Sequence, residues 1–165
     1  MKKLGKLSLG EIKQSMPIID QNEQENLMAG SGNPYSLAYY YYSIGTAEVV
    51  GSESNPDILD FFTATSYVPT DDSKDGWCSA FANYCVYNSG GSGTNSALAS
   101  SWLTWGSSTN SPQVGDIAVA NDGSHVGIVQ GVNADGTVTV IDGNYSNKVS
   151  RHDVSSSSYS FRTAN

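Results

Sequence analysis

The sequence is poor in positive charge. Its 165 residues contain 8 Lys and Arg against 16 Asp and Glu, which gives a formal net charge of -8. Because binding to a nucleic-acid backbone depends on clustered Lys and Arg, we expect no nucleic-acid partner. The deficit is uneven, since residues 1–30 hold four lysines and four acids and residues 31–165 carry the whole net charge. This split indicates two segments with different roles.

Long apolar runs are missing as well. No stretch of about eighteen apolar residues occurs, so we expect no membrane span. The N-terminus also lacks the apolar central region of a Sec-type signal peptide. Export, if it takes place, therefore requires another route.

Cysteine is scarce, with only Cys78 and Cys85 in the chain. If both lie on one helix, seven residues apart, their Cα atoms are separated by roughly 10 Å. A disulfide requires a Cα separation below about 7 Å. We therefore expect two free thiols.

Helical patterns occupy the part of the chain that precedes Pro112. The run Asn55-Pro56-Asp57 favours a helix start, because Asn is a good N-cap and Pro suits the first helical position. The predicted helices are Tyr35–Ile44, a second one that begins at Asn55, Trp77–Asn88 with Asp75 or Gly76 as its cap, and Ala97–Trp105.

Short segments rich in Val and Ile, separated by turn residues, follow Pro112. The predicted strands are Asp116–Ala120, His125–Val132, Thr137–Asp142, Lys148–Val154 and Tyr159–Thr163. Helices followed by an antiparallel sheet predict an α+β domain.

Cys78 is the candidate nucleophile, because it falls in the first turn of its predicted helix, where unpaired N–H groups favour a thiolate. A thiolate nucleophile needs a base within hydrogen-bond reach. His125 opens an apolar strand in which Gly127 allows close approach of another group, and it is the predicted base. His152, between two charged residues, is interpreted as a solvated surface residue.

The base in turn needs a group that orients it. Asp142 and Asn144 are two residues apart, so both project from the same face if the chain is extended there. Either side chain can hold the second imidazole nitrogen. The residues leave this choice open, and they also leave open that Asp142 to Asn144 form only a turn.

Five sequence blocks resemble CHAP domains of the NlpC/P60 cysteine-peptidase superfamily, in the same order along the chain. The blocks are GWCSAFANYC (76–85), GTNSALASSWLTWG (93–106), PQVGDIAV (112–119), SHVGIVQG (124–131) and IDGNYSNKV (141–149). The resemblance covers roughly residues 40–155. It implies that residues 31–165 form a papain-like α+β fold, with N-terminal helices packed on an antiparallel β-sheet.

The resemblance also implies an activity, the cleavage of amide bonds in peptidoglycan or its stem peptides by a cysteine amidase or endopeptidase. Cys78 then matches the nucleophile, His125 the general base, and Asp142 and Asn144 the positions of the third group. Trp77 is a candidate lining residue of the substrate groove. Some CHAP domains bind calcium in an acidic loop before the cysteine, but Asp71, Asp72 and Asp75 fit that pattern loosely, and we expect no metal and no cofactor.

Residues 1–30 resemble the double-glycine leader peptides that peptidase-containing ABC exporters recognise and remove. The expected cut lies between Gly30 and Ser31, and the exporter is an expected partner. The mature protein would then be secreted. It would act as an antibacterial toxin, with an immunity protein as a candidate partner, or as a hydrolase that remodels the producer's own wall.

Two alternative functions stay open at this point. One is a non-catalytic, bacteriocin-like protein that uses the same fold to bind a surface target. The other keeps the Cys/His pair but acts as a cysteine protease on protein substrates. The sequence does not distinguish which amide bond is cut.

Overall fold

The computed structural model describes residues 32–51 and 53–164 of the chain. The helices are α1 (Pro34–Ser43), α2 (Pro56–Phe61) and α3 (Cys78–Asn88), with 3₁₀ helices at Phe62–Ala64 and Ala99–Thr104. The strands are β1 (Ser107–Thr109), β2 (Ile117–Ala120), β3 (Val126–Val132), β4 (Thr137–Asp142), β5 (Ser150–Ser155) and β6 (Tyr159–Thr163). The α+β class predicted from the sequence is confirmed.

Two expectations concern export and membranes. The predicted leader, residues 1–30, and the expected cut between Gly30 and Ser31 lie outside the described residues. Within the two described ranges, no helix combines the length and the apolar character that crossing a bilayer requires.

Helices α1 and α2 each begin with an asparagine followed by a proline. The Asn33 side chain accepts a hydrogen bond from the backbone N–H of Tyr35 at 2.9 Å. The Asn55 side chain does the same for the N–H of Asp57, also at 2.9 Å. These caps satisfy amides that the helix leaves unpaired. The predicted start at Asn55 is confirmed, and α1 lies within one residue of its predicted bounds.

Helix α3 starts without the predicted cap. Trp77 occupies the N-cap position and makes no side-chain hydrogen bond to the helix. The Asp75 carboxylate instead accepts hydrogen bonds from the Tyr67 hydroxyl at 2.7 Å and the Thr70 amide at 3.1 Å. The prediction of Asp75 or Gly76 as cap was wrong, because the preceding loop engages that carboxylate. The first amides of α3 are left without a side-chain acceptor.

Other boundaries differ in small ways from the predicted ones. The expected fourth helix, Ala97–Trp105, forms only as the 3₁₀ helix Ala99–Thr104. Strand β1 was not predicted, because its three residues are polar and show no alternation. Strand β5 begins at Ser150 rather than Lys148.

The sheet is antiparallel, with the strand order β1-β6-β2-β3-β4-β5. Strands β5 and β6 lie four positions apart, which in a flat sheet is a distance of about 19 Å. The chain from Ser155 to Tyr159 spans at most about 14 Å. The sheet must therefore curl, so that one of its faces becomes an inner face.

Both faces of the sheet bury apolar side chains. The outer face packs against the helices around a core that includes Phe61, Phe81, Ile128 and Ile141. The inner face holds a second cluster of Ala118, Val129, Val138, Val140, Val154 and Phe161. Because side chains alternate along a strand, Asp142 lies on the inner face with Val140.

The Asn55 cap offers a test of local stability. We expect Asn55→Ala to lower the free energy of unfolding by about 1 to 2 kcal/mol, because it removes the cap and a second hydrogen bond to the Ala47 carbonyl. Urea unfolding followed by circular dichroism measures the change. Thr63→Ala, at an exposed hydroxyl bonded only to the local Asp60 carbonyl, should cost less than about 0.5 kcal/mol. Equal costs for the two variants would contradict this role of the cap.

Candidate active site

The two cysteines are free thiols on α3, as expected, but their surroundings differ. Cys78 is the first residue of the helix and retains slight exposure. Cys85 is completely buried, and this burial raises the pKa of its thiol well above the ordinary value. Since only a thiolate is a strong nucleophile, Cys85 is unsuited to that role and Cys78 is the candidate.

His125 lies at the entrance to β3, after a turn in which Asp122 accepts hydrogen bonds from the amide and hydroxyl of Ser124. The His125 Nε2 atom is 2.8 Å from Oδ2 of Asp142, which is the last residue of β4 and is completely buried. The structure therefore brings the predicted base and one of the two candidate orienting residues into direct contact.

Two groups, Asp142 and Cys78, act on the His125 imidazole. Burial acts to lower the pKa of His125, but hydrogen bonds with Asp142 and with Cys78 outweigh it and raise this pKa to about 10. Because Nε2 faces Asp142, Nδ1 is the nitrogen available to the thiol. The imidazole therefore lies between thiol and carboxylate and holds its proton at neutral pH.

Two glycines make this arrangement sterically possible. A Cβ atom on Gly127 would lie 3.0 Å from the Cβ of Asp142, which confirms the expected close approach at this position. A Cβ atom on Gly143 would lie 2.6 Å from the Trp77 ring and 2.7 Å from the Phe81 Cβ. The end of β4 is therefore packed directly on the start of α3, and this contact places Asp142 near Cys78.

Asn144, the second candidate for orienting the base, lies elsewhere. The chain is not extended after β4, and Asn144 has a left-handed φ of 59°. A Cβ atom built on Gly76 would lie 3.8 Å from its Nδ2 atom, so Asn144 is beside the segment that leads to Cys78. Of the two possibilities that the sequence leaves open, the turn is the one that forms, so Asp142 and Asn144 do not share the face of an extended strand.

His152 belongs to the site, and its interpretation as a solvated surface residue was wrong. Only 20% of its side chain is exposed, and its Nε2 atom lies 3.6 Å from Oδ2 of Asp142. Its ring stacks on Tyr145, with centroids 3.9 Å apart and an interplanar angle of 21°. The alternation of β5 carries a signal that would have found it, because His152 and the apolar Val154 are two residues apart and share the inner face.

Trp77 does not line an open groove, contrary to the prediction. Its side chain is completely buried, and its indole N–H donates to Glu48 Oε1 at 3.0 Å. It packs in the helical core, with its ring centroid 5.9 Å from that of Phe61. The residues next to Trp77 in the sequence do not indicate this burial, because the contact depends on the distant segment around Glu48.

The carboxylates of the acidic loop each have separate partners within the chain. Asp71 pairs with Lys74 at 2.6 Å, and this contact lowers the pKa of Asp71 to about 2. Asp72 is buried and accepts backbone hydrogen bonds at 2.8 and 2.9 Å, while Asp75 binds Tyr67 and the Thr70 amide. In the part of the chain that is described, no three ligating side chains converge. These three carboxylates do not fit a shared set of calcium ligands.

The contact between His125 and Asp142 predicts how the base titrates. We expect Asp142→Asn to lower the pKa of His125 from about 10 by about one unit or more, because an adjacent opposite charge favours the imidazolium by that amount. An NMR titration of the ¹⁵N-labelled imidazole measures this pKa. Asn144→Ala serves as the control and should leave it unchanged. The arrangement would be refuted by an equal fall in both variants.

Comparison with known proteins finds one matching family model. Residues 69–144 match the CHAP domain, a range that contains Cys78, His125, Asp142 and Asn144 and ends before His152. None of the curated proteins and none of the solved structures compared with the chain matches it. CHAP domains are in general hydrolases, amidases or peptidases associated with peptidoglycan. The match supports a CHAP domain in this stretch of the chain.

Proposed function

We propose that the protein is a peptidoglycan hydrolase that cleaves amide bonds, with Cys78 as nucleophile and His125 as the group that transfers protons. The observation that carries this proposal is the 2.8 Å contact of the His125 imidazole with the buried Asp142 carboxylate, beside a Cys78 thiol that also raises the pKa of this imidazole. The CHAP match over the same residues supports the substrate class.

In the proposed mechanism, the proton of the Cys78 thiol resides on His125, and Asp142 stabilises the imidazolium. The thiolate attacks the carbonyl carbon of the amide and forms a tetrahedral intermediate. The first amides of α3 have no side-chain cap, so the backbone N–H of Cys78 is suited to donate to the oxyanion. His125 then gives its proton to the leaving amine. Water, deprotonated by the same imidazole, hydrolyses the thioester and regenerates the thiol.

The fold proposed for the domain is papain-like, of the NlpC/P60 type. A helix that carries the nucleophile at its N-terminus packs on an antiparallel sheet, and the sheet supplies the base and its carboxylate. This division places the nucleophile and the base on different elements. The packing of Gly143 against Trp77 and Phe81 holds those elements in register.

A cavity next to the segment that leads into α3 is a candidate site for a peptide, although neither Cys78 nor His125 lines it. This cavity of about 450 Å³ lies against Gly76, two residues before Cys78, and is also lined by Tyr67, Asp75 and Leu98. Ser96 also lines this cavity, and its carbonyl accepts a hydrogen bond from the Ser79 hydroxyl of α3 at 2.7 Å. Because residues 31–165 carry the whole negative net charge, recognition of the wall should depend on such a cavity rather than on attraction between a basic surface and anionic polymers.

The nucleophile assignment predicts a sharp difference between the two thiols. Cys78→Ala and His125→Ala should lower the release of soluble fragments from purified peptidoglycan by about a thousandfold or more, because each removes a member of the catalytic pair. Cys85→Ala, which alters the buried thiol on the same helix, should retain most of the activity. Mass spectrometry of the fragments identifies the bond that is cut.

Circular dichroism should show that all three variants are folded. Full activity of Cys78→Ala would refute the proposal. A wild-type protein that binds peptidoglycan but releases no fragment would favour the non-catalytic binding protein. Cleavage of proteins without cleavage of peptidoglycan would favour the protease.

We further propose that the protein is secreted after removal of residues 1–30 by a peptidase-containing ABC exporter, and that it acts on cell walls outside the producer. An immunity protein would then protect the producing cell. This proposal depends on the sequence pattern that ends at Gly30.

Cleavage by the exporter can be tested on the full chain. We expect a protein that begins at Ser31 in the medium of cells that co-express a matching exporter, as measured by intact mass. Gly30→Val should block cleavage, because a narrow protease channel accepts only small residues at that position, whereas Lys3→Ala should not. A secreted product that retains residues 1–30 would contradict the leader.

A further inference from the structure

The buried Asp142 carboxylate contacts two imidazoles through the same oxygen. Its Oδ2 atom lies 2.8 Å from Nε2 of His125 and 3.6 Å from Nε2 of His152. Its Oδ1 atom is buried and has no hydrogen-bond partner among the described residues. The second distance is too long for a hydrogen bond, so His152 acts on the carboxylate electrostatically. The hydrogen bond that His125 gives this buried carboxylate therefore reaches it through Oδ2.

The surroundings of His152 determine where its proton resides. The Nδ1 atom is buried and lacks a partner within the described part of the chain. A proton on Nδ1 would leave a buried donor unsatisfied, which costs free energy. It would also turn the lone pair of Nε2 toward the Asp142 carboxylate, which is repulsive. The N–H of His152 is therefore placed on Nε2 and points toward Oδ2 of Asp142.

The geometry of β5 and the following contacts hold the ring in this position. His152 pairs with Val140 and Ser150 pairs with Asp142, so His152 and Asp142 are diagonal neighbours on the inner face. Tyr145 stacks on His152, and its ring centroid lies 6.1 Å from that of His125. The Ser150 hydroxyl donates to the Tyr145 carbonyl at 2.8 Å, which fixes the segment that carries the stacking ring.

We propose that His152 is a positioning residue for His125, because its N–H is directed at the same Asp142 oxygen and weakens the stabilisation that this carboxylate gives to the protonated imidazole. This inference rests on the proposed function in one respect, since it assigns His125 to proton transfer. Efficient proton transfer requires a group that both accepts and releases its proton. A buried carboxylate committed to His125 alone would hold the imidazolium more firmly and slow the transfer to the leaving amine.

Other titratable groups near the imidazoles belong to several elements. Cys78 comes from α3 and Tyr145 from the turn after β4. Tyr159 comes from β6, and burial, followed by the charges of Asp142 and its neighbours, raises the pKa of its phenol. On β5 itself, Arg151 and Asp153 point to the opposite face from His152, where Asp153 accepts from the Thr139 hydroxyl at 2.6 Å. None of these groups replaces the N–H that His152 directs at Oδ2.

The test compares two replacements of His152. His152→Phe keeps a ring that stacks on Tyr145 but removes the N–H, whereas His152→Gln keeps an N–H at about the position of Nε2. We expect the pKa of His125, measured by ¹⁵N NMR titration of the full chain, to rise by about half a unit in His152→Phe. His152→Gln should restore it to the wild-type value. The alkaline limb of the hydrolysis profile should move in the same direction, because activity requires protonated His125.

An unchanged or lowered pKa of His125 in His152→Phe would overturn the inference, and so would equal shifts in both variants. If His152→Phe fails to fold, the ¹⁵N chemical shifts of His152 in the wild-type protein still show which ring nitrogen carries the proton. The chain has only two histidines, and a proton found on Nδ1 at neutral pH would refute the proposed geometry.

The NMR readout needs no substrate. A shift in the pKa of His125 without any hydrolysis by the wild-type protein would refute the proposed function and leave the tuning intact. Hydrolysis with an unaltered pKa would refute the tuning alone.

Discussion

The arrangement of the site depends on one carboxylate, Asp142, that is completely withdrawn from water. An ionised carboxylate in such a place is costly unless an opposite charge is near, and the His125 imidazolium at 2.8 Å supplies it. The requirement works in both directions, because the Asp142 carboxylate, together with Cys78, outweighs the effect of burial and raises the pKa of His125 to about 10. The protonated base and the buried acid therefore stabilise each other.

Keeping water away from this pair requires support from outside the sheet. The segment before α2 provides it, because Asp72 accepts the amides of Val49 and Asn55, and Glu48 accepts from the indole of Trp77. Trp77 in turn packs on Gly143, the residue that follows Asp142. A chain of contacts thus links a helix cap to the carboxylate, although the residues involved have no part in the chemistry.

Local patterns predicted those features that depend on local physics. The Asn55-Pro56 start of α2, the apolar strands and the position of Cys78 in a first turn all follow from neighbouring residues, and the structure contains them. The cap of α3 and the burial of Trp77 depend on contacts with the distant segments around Tyr67 and Glu48. The sequence contains two candidate residues for orienting His125, Asp142 and Asn144. The structure distinguishes them, because the chain turns after β4, where Asn144 has a left-handed backbone conformation. The prediction that His152 is solvated was wrong because it depended on the charge of Arg151 and Asp153, which point to the opposite face of β5.

The order of the strands has a consequence for how the chain folds. Strand β6 lies between β1 and β2, and its Phe161 completes the apolar cluster on the face that carries Asp142. Until β6 pairs with β2, β2 is an edge strand and the inner face is exposed to water. Closure pairs Ser107 with Thr163, a contact of long sequence separation, and such contacts form slowly. The low-dielectric surroundings of the carboxylate are therefore a late product of folding, and a nascent chain acquires them only after β6 has been synthesised.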